Sequence, residues 1–202
     1  MPGWIEPLAV LAGIACVALT VRQHIINWPI GIISSALFLA LFLEAGLYAD
    51  SLLQGLYVAL GFYGWWHWLR GGPGDDDLPV ATASARLRVI LIAVAVAATI
   101  GFGAFLSTTN DPLPFPDAAT TVLSLVAQFL LTRKHIENWP VWIIGVNVPY
   151  VAMYLYKDLS LTAALQLVYI GLSIAGWAAW RRSMGEGVID RAASSLHEEA
   201  VA

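Results

Sequence analysis

The stretch "RQHIINWP", residues 22–29, returns as "RKHIENWP", residues 133–140, at an offset of 111. The likeness runs on: Ile32 and Ile33 correspond to Ile143 and Ile144 at that same offset of 111. The offset then becomes 112, where Gln54, Tyr57, Gly64, Trp65, Trp68 and Arg70 match Gln166, Tyr169, Gly176, Trp177, Trp180 and Arg182. Apolar sequence imitates itself readily at leucine. It does not do so at His, Asn, Gln, Trp and Arg, so the chain carries an internal duplication.

The 202 residues are 59% hydrophobic and 12% charged, with a mean hydropathy of +0.73. A soluble domain carries about twice that charged fraction. The apolar residues gather into runs approaching the roughly 20 residues that cross a bilayer. Seven spans stand out, at 4–21, 28–43, 52–69, 89–106, 118–131, 139–156 and 161–180. Only helices and closed barrels satisfy their backbone in lipid, and unbroken apolar runs lack the alternation of a barrel strand. The expected fold class is an all-α membrane protein with seven transmembrane helices. The fifth span is short and follows Pro112, Pro114 and Pro116.

Nine of the ten basic residues fall on one side of this arrangement, and Lys157 alone falls on the other. Basic short loops stay cytoplasmic. The chain is therefore expected to be multi-pass in the cytoplasmic (inner) membrane, with the N-terminus outside and the C-terminus inside. The repeated unit has three spans, an odd number, so a direct second copy would enter upside down. The fourth span restores the direction. The layout is thus 3+1+3 with parallel repeats: residues 4–70 and 118–182 as repeats, 89–106 as the linking helix. Residues 71–88 read as a flexible cytoplasmic loop containing the DDD run 75–77, and 183–202 as a mobile polar tail. Transporters are often built from such repeats, with substrate bound between them near the midplane.

Cys16 lies alone in the first span, which excludes an internal disulfide. The N-terminus has no basic region of a cleavable signal. No nucleotide-binding loop, metal cluster or nucleophile–base set occurs in the spans, so no enzyme activity, cofactor or nucleic-acid partner is expected. Glu6, Glu44, Asp50, Asp111, Asp117 and Asp158 all fall near the outer ends. No buried acid chain carries protons or sodium, which points to a uniporter.

Gln54 and Gln166 lie inside spans at matched positions. An amide in hydrocarbon is costly unless paired, so both face the bundle interior. Tyr57 and Tyr169 follow at i+3, on the same faces. Either these groups bond helix to helix, or they line one central site. Asn27-Trp28-Pro29 and Asn138-Trp139-Pro140 open the second span of each unit. Asn suits a helix N-cap, Pro the first turn and Trp the membrane interface, so capping and anchoring are expected. Gly31 and Ala36 stand where the second copy has Trp142 and Asn147, a divergence that suits an asymmetric ligand.

The stretches "NWPIGIISSALFLALFLEAGLYADSLLQGLYVALGFYGWWHW" (27–68) and "ENWPVWIIGVNVPYVAMYLYKDLSLTAALQLVYIGLSIAGWAAW" (137–180) resemble the two repeats of the PnuC-type vitamin transporter family. The resemblance covers 4–182 and includes the SWEET-like layout. It implies facilitated diffusion of nicotinamide riboside for NAD salvage, with thiamine or riboflavin as the cargo of relatives. A cytoplasmic kinase then traps the vitamin by phosphorylation. The family motif is Trp-x-x-Trp, with Asn or Asp four residues on. Trp139 and Trp142 match, but the Asn comes five residues on, at Asn147. On a regular helix that turns the amide by about 100°. It then misses the ligand unless a local distortion restores it. The substrate-binding set so implied is Gln54, Tyr57, Trp139, Trp142, Asn147, Gln166 and Tyr169. A SWEET-type sugar carrier and a seven-helix receptor are the rival classes. No stretch specifies a subunit interface, and homo-oligomerisation stays open.

Overall fold

Backbone groups in an apolar run have no water to bond, so each run closes its hydrogen bonds within itself as a helix. The computed structural model describes residues 4–46, 48–71, 78–156 and 158–201, with the backbone alone at 48, 49 and 187–201. Helices α1 (Ile5–Val21), α2 (Asn27–Glu44), α3 (Tyr48–Arg70), α4 (Ala85–Leu106) and α5 (Pro114–Thr132) come first. Helix α6 is one rod in three segments: α over Asn138–Pro140, π over Val141–Asn147, and α over Val148–Tyr156. Helix α7 is Ser160–Val201. Four helices, α2, α4, α5 and the Ser160–Glu186 part of α7, are long and apolar enough to cross a membrane, and α1 is a shorter apolar helix. Lys157 and the acidic run 75–77 lie outside the described residues.

Helix α2 packs between α1 and α3, and α6 between α5 and α7. The two triplets meet through α1 against α7 and α3 against α5, while α4 packs on α5. Trp68 Nε1 donates to the Leu131 carbonyl at 3.1 Å, and Trp180 Nε1 donates to the Thr20 carbonyl at 3.0 Å. Donors and acceptors are matched positions of the two copies. The C-terminal ends of α1, α3 and α5 and the middle of α7 therefore converge at one end, and the triplets run parallel about a pseudo-two-fold axis. Arg22, Arg70 and Arg133 sit at or just beyond the ends of α1, α3 and α5, and Arg182 sits at the same level within α7, which makes this the Arg-rich end.

Four tryptophans fill the Arg-rich end. Trp28 meets Trp68 edge-on at 5.3 Å, Trp139 meets Trp180 edge-on at 5.4 Å, and Trp68 lies 6.0 Å from Trp180. Gly64 and Gly176 open the slots that hold Trp28 and Trp139, because a Cβ at either would collide with the indole. Even the turns repeat: Gln23 and Lys134 both adopt left-handed backbone, at φ 55° and 50°.

Two expectations are corrected here. The loop before α4 is not free over its second part. Ala81 pairs with the α5–α6 turn, donating to Lys134 O and accepting from the Ile136 amide. Glu137 accepts from the Ala83 amide at 3.0 Å, and Leu78 and Val80 pack on the tryptophans. The apolar side chains pull this strap onto the cluster, and the carboxylate fixes it. The segment after Arg182, read as a mobile tail, continues α7 as helix. Its Ala, Glu, Met and Leu content favours helix and no proline stops it. Gln23 Nε2 donates to Ser183 Oγ at 3.0 Å, tying this extension to the α1–α2 turn.

A central cavity between the two repeats

A cavity of about 370 Å³ lies between the triplets, within the range of small-molecule sites. Gln54 and Tyr57 reach its wall from α3, and Gln166 and Tyr169 from α7. Trp139, Trp142 and Asn147 reach it from α6. All seven side chains singled out by the sequence thus line one space. The two tyrosines cross to the opposite half. Tyr57 pairs with Ser124 on α5, whereas the Tyr169 hydroxyl lies against Gly13, the matched position on α1.

The π segment settles where Asn147 points. A π-helix bonds i→i+5, so a residue five positions on takes the place that the fourth holds in an α-helix. Asn147 is buried at 5% exposure, lines the cavity and closes the π segment. The same segment absorbs the residue by which the second copy is longer. Beyond it the copies fall back into register: Phe38 stacks on Phe42 at 5.7 Å and Tyr150 on Tyr154 at 5.4 Å, each tyrosine 112 after its phenylalanine.

The Asn-Trp-Pro triplets do not act as expected. The caps of α2 and α6 are Ile26 and Glu137, neither with a capping side chain. Asn27 and Asn138 each open their helix and donate Nδ2 to the carbonyl three residues back, His24 or His135, at 2.7 Å. Trp28 and Trp139 are buried at 3% and 2% exposure, not set at an interface, because the glycine slots draw them inward. Both Asn–Trp pairs floor the cavity at its Arg-rich end, and Asn27 Oδ1, Asn138 Oδ1 and both indole Nε1 atoms are buried without partners. Sequence reasoning also missed Tyr150, Tyr154 and Asp50 in the wall. The i, i+4 aromatic spacing signalled the first two. Asp50 was placed at the outer end of its span, and it lies in the first turn of α3.

Among the described residues, two like-oriented helix triplets and a linking helix, with a cavity between the triplets, define a multi-pass membrane transporter. The chain belongs to the family described as "Nicotinamide mononucleotide transporter", which matches residues 3–182. It is 28% identical over 209 residues to the Nicotinamide riboside transporter PnuC of Escherichia coli (strain K12), covering 91% of this chain and 87% of that protein. The PnuC of Neisseria mucosa is 26% identical, covering 89% of this chain and 72% of the relative. The Riboflavin/roseoflavin transporter RibM of Streptomyces davaonensis is 26% identical, covering 88% and 84%. The crystal structure of the Vitamin B3 transporter PnuC superposes with a TM-score of 0.72 at 24% identity, over 92% of this chain and 83% of that one. That likeness carries the fold.

Proposed function

We propose that the protein takes up nicotinamide riboside by facilitated diffusion through the cytoplasmic membrane, the two triplets rocking about the central cavity. One observation carries this reading: three matched pairs or partners of amide, phenol and indole converge on a single cavity whose described lining includes no Arg or Lys. The cargo is a cationic pyridinium bearing a carboxamide and ribose hydroxyls. Trp and Tyr faces attract cations by about 0.5–2 kcal/mol each, and Gln54, Gln166 and Asn147 can pair with the amide and hydroxyls. A phosphorylated mononucleotide would need a cation in the wall. That supports the dephosphorylated vitamin, with a cytoplasmic kinase trapping it after entry.

The Arg-rich end faces the cytosol in this reading, with the four tryptophans as its gate. Two indole–carbonyl bonds hold the gate shut. The four unpartnered polar atoms beneath it work against closure, since an unmade buried hydrogen bond costs about 1–3 kcal/mol. Such a near balance suits a uniporter, whose cargo must not hold either facing state. Riboflavin is the alternative cargo on the strength of the riboflavin-carrying relative, and thiamine is the other that the family resemblance implies.

The test is uptake of labelled nicotinamide riboside into proteoliposomes without an ion gradient, beside calorimetric titration of all three vitamins. Uptake that survives ionophores is expected. Silence with every vitamin would sink the carrier assignment, and a need for an ion gradient would sink uniport.

A further inference from the structure

Asp50 stands apart from every other residue in the cavity wall: among the described lining residues it alone is charged. It sits in the first turn of α3, where the helix dipole favours a carboxylate. It is exposed rather than sealed in the protein, so a hydrated ligand can reach it. The hydroxyls of Tyr150 and Tyr154 are within its electrostatic reach, and those rings stack 5.4 Å apart with 20° between planes. The second copy has Thr162 at the matched position, so only one wall carries the charge.

Glu6, Glu44, Asp111, Asp117 and Asp158 lie toward the same end of the helices, where the sequence places a single base, Lys157, and so leaves a net negative charge. Membrane orientation gives no account of these acids, because Asp and Glu contribute little to it. A cleft of one charge sign with low-dielectric walls focuses the field and raises the local concentration of the opposite ion. The Trp and Tyr faces of the cavity favour a cation by about 0.5–2 kcal/mol each, but its amides and stacked rings accept a neutral heterocycle as well.

We propose that Asp50 is a specificity-determining residue that strengthens this carrier's preference for a cationic heterocycle over a neutral one. The inference rests on the carrier reading above and adds the charge of the preferred cargo. Asp50 does not hold the vitamin in its final pose. It enriches cations at the acidic mouth beside the tyrosine stack, offers nothing to an uncharged flavin and repels a phosphate.

The experiment compares nicotinamide riboside with its reduced dihydropyridine form. The latter keeps the carboxamide and ribose but is uncharged. In proteoliposomes, Asp50→Asn should lower kcat/KM for the cation by about three- to tenfold while leaving the neutral form within about twofold. Asp50→Glu should restore the preference. Added salt should weaken uptake of the cation by the wild type and do so less in Asp50→Asn, where the other acids of the mouth remain. Equal loss for both forms, with the variant's melting temperature lowered, would assign Asp50 a structural role and overturn the proposal. No loss for either form would overturn it too. A wild type that carries neither form would remove the carrier function itself, and this proposal with it.

Discussion

Gly176→Ala and Gly171→Ala, five residues apart on α7, should move stability in opposite directions. A Cβ on Gly176 would lie 2.7 Å from Trp139 Cε2 and closer still to the Cζ2 and Cη2 atoms, whereas a Cβ on Gly171 meets nothing within 4 Å. Carbon atoms settle about 3.5–4.0 Å apart, so the indole must retreat by roughly 1 Å. Its one open side is the cavity that it lines. Trp139 is 2% exposed and abuts the ring of Trp180, itself 0% exposed. Overpacking of this kind costs about 1–3 kcal/mol. The better helix propensity of Ala, about 1 kcal/mol, offsets only part of it. Gly171→Ala keeps that gain whole. The first copy supplies the same pair: a Cβ on Gly64 would sit 2.5 Å from Trp28 Cζ2 and Cζ3, and on Gly55 it would meet nothing. Thermal unfolding in detergent should show lower midpoints for Gly64→Ala and Gly176→Ala, and unchanged or higher ones for Gly55→Ala and Gly171→Ala. Gly176→Ala should also weaken vitamin binding, because Trp139 is pushed toward the cavity. A Gly176→Ala protein melting at or above wild type would refute the slot argument.

Three further outcomes follow from the geometry. Asn147→Ala should weaken binding of nicotinamide riboside by about tenfold, the worth of one buried hydrogen bond; deleting Gly145, which returns α6 to the length of α2, should cost less because the amide then stands four residues after Trp142. Trp142→Ala should cost a similar factor through the lost ring face, read by calorimetry, and Trp142→Phe should recover part of it. Burial holds the His135 imidazole below its ordinary value of 6.5, with Arg133 and His67 adding to this, against the pull of Glu137 and the Ala81 backbone. The unfolded chain therefore takes up the proton first as pH falls through about 6.5, and stability is lost on acidification. His135→Gln should flatten that limb of a melting-temperature profile taken from about pH 8 to about pH 5; an unchanged profile would remove His135 from the account.

Much of this architecture was legible because duplication repeats physics as well as letters. His, Asn, Gln, Trp and Arg do not recur by chance in apolar sequence, and the arginines marked which ends of the spans lie together. The cavity set was legible for a related reason: an amide inside a span has few places to go except a shared interior. What misled was local chemistry. Asn and Pro at a helix start read as a cap, and Trp beside them as an interface anchor. Burial of Trp28 and Trp139 depends on slots in a different helix, cut by Gly64 and Gly176 and closed by Trp68 and Trp180. Those four residues are themselves matched across the copies, but pairing them with the tryptophans of α2 and α6 requires knowing which faces meet. The strap over the α5–α6 turn was illegible for the same reason, since its bonds join residues more than fifty positions apart.

The change of offset from 111 to 112 is the sharpest case, for it was visible in the sequence and its cause was not. An extra residue in a membrane helix has two outcomes. It can rotate everything beyond it by about 100°, which would have turned Tyr150 and Tyr154 out of the cavity. Or the helix can widen locally and keep both flanks in phase. The paired stacks of Phe38 on Phe42 and Tyr150 on Tyr154 show that the second happened. The widened turn runs from Val141 to Asn147 and so contains the residues that distinguish the copies, Trp142 and Asn147, against Gly31 and Ala36 in the regular α2. The insertion and this part of the cavity's asymmetry thus fall in one turn: a single π segment carries the indole and the amide that the first half lacks.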